Sequence, residues 1–408
     1  MTTVDTELEI RPPAPEELRA AMDAAEIAFG SSGVEDDTWE RESKALPASR
    51  ALAAFDGGKP VALAGAYAFD LSIPGGQLPC AGVTWVGVLP THRRRGILRA
   101  LVRRQLEDVR AWGEPIAALW ASESSIYGRF GYGQAAANLH LKSDRARFAL
   151  RDELGAGPSV RLVDADEALR LFPPVYERER LRRPGMLSRD ERWWKEHRLA
   201  DPESWRDGAS KKFYAAVELD GEVEGYVYYR IKEEWQDGIA MGEVRVVEAV
   251  AVTPGALRAL WRFLHDLDLT ARVEAYYFDP GSALPLVVRD PRALGLRWGD
   301  GLWLRLVDAD AALKARSYRS GDPVVLEVRD ELCPWNAGRY RVGEGAGATD
   351  DEPDLELDVA ELASTYLGGV DFHRLLQAGL VEEHSEGAVE RASILFRTDT
   401  IPYCPEDF

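Results

Sequence analysis

"VTWVGVLPTHRRRGILRALV", residues 83–102, decides the fold. A buried-looking strand (Val83, Trp85, Val86, Val88) runs into a loop of three arginines and a glycine, and that loop opens directly into an amphipathic helix. Backbone N–H groups at a helix N-terminus are unpaired and lie at the positive end of the helix dipole, so such a turn can hold a phosphate. Gly96 lets the backbone close on a ligand, and the arginines can neutralise further phosphate charge. A solvated basic helix start is the plainer alternative. Neither GxxxxGK[ST] nor GxGxxG occurs, which removes the nucleoside-triphosphate loop and the dinucleotide fingerprint.

Upstream, "APEELRAAMDAAEIAF" has helical spacing, with Leu18, Met22 and Ile27 on or near one face. Three strand-like runs follow, separated by Asp-Gly-Gly and Pro-Gly-Gly turns, which are hairpin signals in series. Downstream of the helix come the apolar run "PIAALWA" and then "SSIYGRFGYG", residues 124–133. Helix, antiparallel meander, helix and strand predict an α+β domain with a mixed sheet, ending near residue 150. A second domain over 151–300 repeats that grammar. Its words repeat too: "GILRAL" at 96–101 and "GALRAL" at 255–260 share five of six residues, each after a Val-rich strand and a proline. Thr91, His92 and Arg93 to Arg95 separate Pro90 from Gly96, whereas Pro254 touches Gly255. The pattern reads as a duplication whose second copy has lost its basic loop. A third region, 301–408, holds further strand candidates, an acidic loop "GATDDEPD" expected to be mobile, and an aromatic end expected to be docked.

The chain has 408 residues, 46% of them hydrophobic, and a formal charge of −19. That charge argues against nucleic-acid or anionic-membrane surfaces, permits a polycationic substrate, and also suits a merely solubilising surface. Cys80, Cys333 and Cys404 are scattered and form no framework, the N-terminus lacks an apolar signal core, and no run is long enough to span a membrane. A cytoplasmic protein is expected. The six histidines are dispersed without metal-ligand spacing, so no metal is expected, and no G-x-S-x-G elbow supports a hydrolase.

R-x-x-G opening the central helix (Arg93 to Gly96), with Y-x-x-x-G-[FY] about 30 residues on (Tyr127 to Tyr132), resembles the GNAT superfamily of acetyl-coenzyme A-dependent N-acetyltransferases. "LPTHRRRGILRALV", the segment around "IYGRFGYG", the degenerate second copy and the aromatic C-terminus resemble more narrowly the enhanced intracellular survival (Eis) acetyltransferases. The resemblance implies tandem GNAT folds, the second degenerate, and a C-terminal sterol-carrier-protein-like domain. It implies that backbone groups of Val86, Gly87 and Val88 pair with the pantetheine arm of acetyl-CoA. Arg94, Arg95, Gly96, Ile97, Leu98 and Arg99 would hold the pyrophosphate, and Ser122 and Glu123 would complete the cleft. Tyr127 would protonate the departing thiolate, and the Phe408 carboxylate would be the general base. Leu98 stands where the wider superfamily has a small residue. A homo-oligomer, a hexamer by resemblance, is also implied.

Direct transfer needs a neutral amine, yet an aliphatic ammonium has a pKa of about 10.4, so a base is required and the leaving thiolate gains from an O–H donor. Acidic and aromatic groups that suit a polyamine or aminoglycoside are Glu35, Asp36, Asp37 and Trp39, with Asp407 beside the terminal carboxylate and Trp85 beside the cofactor strand. For any single one of Glu35, Asp36 and Asp37 a solvated loop residue is the plainer reading; Asp407 is the exception, because its neighbour is expected in the active site. Gly128, Gly131 and Gly133 are expected to bend the chain around the cofactor, with Phe130 and Tyr132 packed beneath. Two other readings stay open: a non-catalytic acyl-CoA sensor or lipid carrier, and a protein-lysine acetyltransferase.

Overall fold

The computed structural model describes residues 8–155 and 157–408. The N-terminal elements are β1 (Leu8–Arg11), α1 (Leu18–Ala28), α2 (Asp36–Ala45), β2 (Ala51–Asp56), β3 (Lys59–Ile73), β4 (Gly76–Val88), α3 (Ile97–Ala111), β5 (Ile116–Trp120) and β6 (Gly133–Gln134). The sequences "ALAAF" and "VALAGAY" are buried almost without interruption, as strands covered on both faces must be. α1 lays Leu18, Ala21, Met22 and Ala25 against Phe55 and Leu63, while Ile27 turns outward. α3 closes the other face through Ile97, Leu101, Leu106 and Val109.

The second copy comprises β7 (Ala137–Asp144), β8 (Val160–Val163), α4 (Ala165–Arg180), β9 (Phe213–Leu219), β10 (Glu222–Lys232), β11 (Gly242–Ala251), α5 (Pro254–Asp266), β12 (Thr270–Phe278) and β13 (Arg297–Asp300). Its sheet order is β13-β7-β12-β11-β10-β9-β8. The repeated words both lie on crossover helices between parallel strands, α3 between β4 and β5 and α5 between β11 and β12.

Sheet pairing runs across the expected domain limits, because strands are exchanged. β7 pairs with β12 in the second sheet. β14 (Leu302–Leu306) instead enters the first sheet, whose order is β1-β2-β3-β4-β5-β14-β6. One compact unit therefore contains the residues up to Ala136 with Gly301–Pro402 and Glu406–Phe408, and the other contains Ala137–Asp300 with Tyr403–Pro405. Backbone ladders are blind to sequence distance, so nothing local in "GLWLRL" announces this return. The C-terminal region adds a five-stranded sheet around Val324–Arg329 and Leu355–Asp358, with helices Val359–Thr365 and Ala388–Phe396. Its acidic loop carries hydrogen bonds: the Thr349 N–H donates to Arg339 O at 3.0 Å, and Asp351 accepts from Arg341 and Thr349. The chain end is docked, with Pro402, Cys404 and Glu406 buried.

Candidate active site

The site begins where two strands part. β4 and β5 pair in parallel only from Cys80 with Ile116 to Gly82 with Ala118. β4 runs on to Val88 and β5 to Trp120 with no ladder between them, so an open wedge separates the strand ends. On its other side β4 is bulged. Leu63 faces Gly87 and Gly65 faces Thr84, so Trp85 and Val86 together oppose Ala64. Trp85 sits at φ +54, which a bulky residue adopts only under local constraint, and bulges of this kind bend a strand away from its neighbour. The freed edge of β4 over residues 83–88 can accept an amide-bearing arm as an added strand.

At the far end of β4 the arginine loop divides its labour. Arg93 props the turn, donating to Ala28 O at 2.9 Å and Val88 O at 3.3 Å. Arg95 leans on Asp56 at 3.7 Å, a carboxylate also met by His92 at 3.1 Å. Arg94 and Arg99 are exposed and make no side-chain bond to protein among the described residues. The chain passes Arg94 at φ +65 and Gly96 at φ +82, the left-handed region that glycine enters without steric cost. α3 then starts with no side-chain cap. Its first-turn N–H groups are left for a ligand, and the dipole favours an anion.

Beyond β5, Ser122 and Glu123 are exposed and lead into a single turn, Ser124–Tyr127. The Tyr127 ring is buried, edge-on to Tyr132 at 5.8 Å, in a cluster with Ala81, Val83 and Phe130. Burial, and then the charge of Glu123, push the Tyr127 phenol up to about 12, so its O–H keeps its proton near neutrality. That hydroxyl meets no protein partner among the described residues. Of the three glycines, only Gly131 takes a left-handed turn, at φ +79. Gly128 is an ordinary helical residue, and Gly133 is bare because Ala360 O would lie 1.9 Å from a Cβ there.

Phe408 arrives from the opposite side. Side chains alternate across a strand, so Ala81 and Val83 join the packed cluster that holds Tyr127, while a side chain at Gly82, between them, would meet Phe69 and Phe408. The Phe408 ring lies 5.5 Å from Phe69 and 6.4 Å from Tyr67. The last residue therefore sits at the apex of the wedge, on the face of β4 away from Tyr127.

The sequence missed the support behind this ring. The Tyr67 hydroxyl donates to the buried carboxyl of Glu42 and accepts from Trp85 Nε1 at 3.2 Å. Burial is the main cause of a raised pKa at Glu42. The alternation of Tyr67 and Phe69 along β3 was the available signal for a shared face. Nothing local marked Glu42.

The expected acceptor acids are placed differently from expectation. Glu35, Asp36 and Asp37 open helix α2 rather than a loop. Asp36 pairs with Arg19 and Asp37 with Arg41, so both negative charges already have protein partners. Trp39 packs on the α1 cluster with the Arg19 guanidinium 5.7 Å from its ring. Trp85 is committed to Tyr67, and Asp407 is exposed beside Phe408.

Comparison with known proteins agrees with this geometry. Residues 9–135 and 185–306 match acetyltransferase (GNAT) domain families, and residues 309–405 match a sterol carrier protein domain family. An N-acetyltransferase of Streptomyces avermitilis is 43% identical over 93% of this chain and 95% of its own. N-acetyltransferase Eis of Mycobacterium tuberculosis is 36% identical over 87% of this chain and 88% of its own. The crystal structure of Eis1 from Mycobacterium abscessus superposes with a TM-score of 0.84 at 38% identity, over 98% of this chain and 100% of that one. No helix among the described residues is long and apolar enough to cross a membrane. The parted strands, the uncapped helix behind an open arginine and the buried tyrosine fit acetyl-CoA, and the chain belongs to the Eis-like N-acetyltransferases of the GNAT superfamily, enzymes that use acetyl-CoA.

Proposed function

We propose that the protein acetylates primary amines of a small polycationic molecule, of the aminoglycoside or polyamine class, by direct transfer. Acetyl-CoA supplies the activated acetyl group. The observation that carries the reading is the placement of Tyr127 and Phe408 on opposite faces of β4, at the point where β4 and β5 part. An incoming amine must lose a proton on one side while a thiolate gains one on the other, and a pair of groups on opposite faces of β4 supports assigning those two tasks to Phe408 and Tyr127. Tyr127 keeps its O–H near neutrality, its phenol raised to about 12 by burial, so it can offer a hydrogen bond and then a proton to the strongly basic sulfur as the thiolate leaves. The Phe408 carboxylate takes the ammonium proton, directly or through water. Arg94, Arg99 and the first turn of α3 hold the pyrophosphate, with Arg93 and Arg95 fixing the loop. The net charge of −19 and Asp407 beside the carboxylate favour a substrate with several cationic groups.

The test is thiol release from acetyl-CoA with aminoglycoside, polyamine and lysine-peptide panels. Tyr127→Phe and a chain shortened by Phe408 are expected to lose about 10²–10⁴-fold in kcat while still binding coenzyme, the range ascribed to a positioned acid or base. Full activity in the shortened chain would remove Phe408 from the mechanism. Acetylation of peptides alone would replace the substrate class.

A further inference from the structure

The second unit keeps a wedge of the same construction with opposite chemistry. β11 and β12 pair in parallel from Gly242 with Thr270 to Val246 with Ala275. β11 then continues to Ala251 and β12 to Phe278 without a ladder between them. A cavity of about 310 Å³ occupies the gap, walled by Ala249 and Val250 from one strand, Phe278 from the other, and Trp261 of α5. A single water needs only about 30 Å³, and small-molecule pockets begin near ~300 Å³, so this is ligand-sized space rather than a packing fault.

Its chemistry rules out a second phosphate site. The N-terminus of α5 is closed twice: Thr253 Oγ1 accepts from the Ala256 N–H at 3.3 Å, and Pro254 has no N–H to offer. Three charged side chains line the cavity: Glu179, Arg183 and Asp279. Arg183 bridges the two acids, 2.7 Å to Glu179 and 2.8 Å to Asp279. Two carboxylates around one guanidinium leave one negative charge in excess, which repels an anion and attracts a cation. The tail segment Tyr403–Pro405 is already seated here. The Tyr403 N–H donates to Pro184 O and its hydroxyl to Tyr277 O, each at 3.1 Å. With that segment lining the cavity, the remaining space suits a compact molecule, not an extended cofactor arm.

We propose that this degenerate wedge is a second ligand site, one that takes a compact apolar molecule carrying one ammonium group, such as an arylalkylamine. The apolar body lies against Trp261, Phe278 and Val250, and the ammonium faces Glu179 and Asp279. The site is independent of the acetyl-transfer reading, because occupancy needs neither acetyl-CoA nor turnover.

Isothermal titration calorimetry on the full chain without acetyl-CoA tests it, with 2-phenylethylamine as the probe and 2-phenylethanol and 3-phenylpropionate as its neutral and anionic counterparts. One site per chain is expected, with the amine preferred over the alcohol by about tenfold and the acid weakest, the scale of one charge-assisted contact. Ala249→Phe fills the cavity and is expected to abolish binding. Asp279→Asn and Glu179→Gln keep its shape, so each is expected to remove the preference for the amine whether or not Ala249→Phe folds. Tyr127→Phe should bind as wild type does. Absence of heat with all three probes, equal affinity for all three, or an amine preference untouched by the two charge variants would each overturn the proposal.

Discussion

A single methyl group at the apex of the first wedge tests how the terminal residue is positioned. Gly82 is the last β4 residue paired with β5, and a Cβ built there lies 2.4 Å from Phe69 Cε2 and 3.2 Å from Phe408 Cε2. An ordinary contact needs about 3.4 Å, so Gly82→Ala asks the Phe69 ring to give by about 1 Å. Phe69 is buried, and its ring packs against Phe408 at 5.5 Å, so the displacement reaches Phe408. Overpacking of this kind costs about 1–3 kcal/mol. For a unit of this size that lowers Tm by about 2–12 °C, at ~2–4 °C per kcal/mol. A shift of ~1 Å at a reacting group costs about 10²-fold, which here falls on kcat, while KM for acetyl-CoA holds because the arginine loop is untouched. Gly76→Ala is the matched control: it lies on the same strand, and nothing comes within 4 Å of its Cβ. The assays are steady-state thiol release and differential scanning fluorimetry on wild type and both variants. If Gly82→Ala matches Gly76→Ala in kcat and Tm, the rings do not hold the chain end and the assignment of Phe408 loses its structural basis.

Two further outcomes come from the loop and from the second unit. Arg94→Ala removes an exposed guanidinium with no side-chain partner among the described residues, so KM for acetyl-CoA should rise about tenfold with Tm unchanged, whereas Arg93→Ala should also lower Tm. Steady-state kinetics beside melting curves separate the two, and equal behaviour would mean the loop is not divided as described. His265 is buried, stacked on Phe148 at 3.5 Å and bonded to Trp261 O and Ser143 Oγ, and burial lowers its pKa from 6.5 to about 4. The unfolded chain therefore binds this proton first, and stability present above pH 6.5 is lost as pH falls toward 4. That loss is about 2 kcal/mol at about pH 5, and urea unfolding should show wild type falling by that much more than His265→Gln. Parallel losses in the two proteins would contradict the burial argument.

The sequence by itself determined the parts whose physics is local. The arginine loop, the left-handed turn at Gly96 and the uncapped start of α3 are set within a few residues, as is the aromatic turn that buries Tyr127. Helix ends and tight turns depend on side-chain shape and on backbone groups only three or four residues away, so they can be read without a partner. Tertiary structure decided which strand lies beside which. β14 enters the first sheet between β5 and β6, while β7 leaves for the second, because a strand edge accepts any backbone that matches its register. It also decided how the charges pair. Asp36 and Asp37 look available in sequence and are paired with Arg19 and Arg41 in space, while Glu42, silent in sequence, is buried behind Tyr67. The residue that most defines the proposed mechanism, Phe408, reaches Gly82 across more than three hundred positions of chain. Contacts of that separation come from how whole elements pack, and no window of residues around either end contains them.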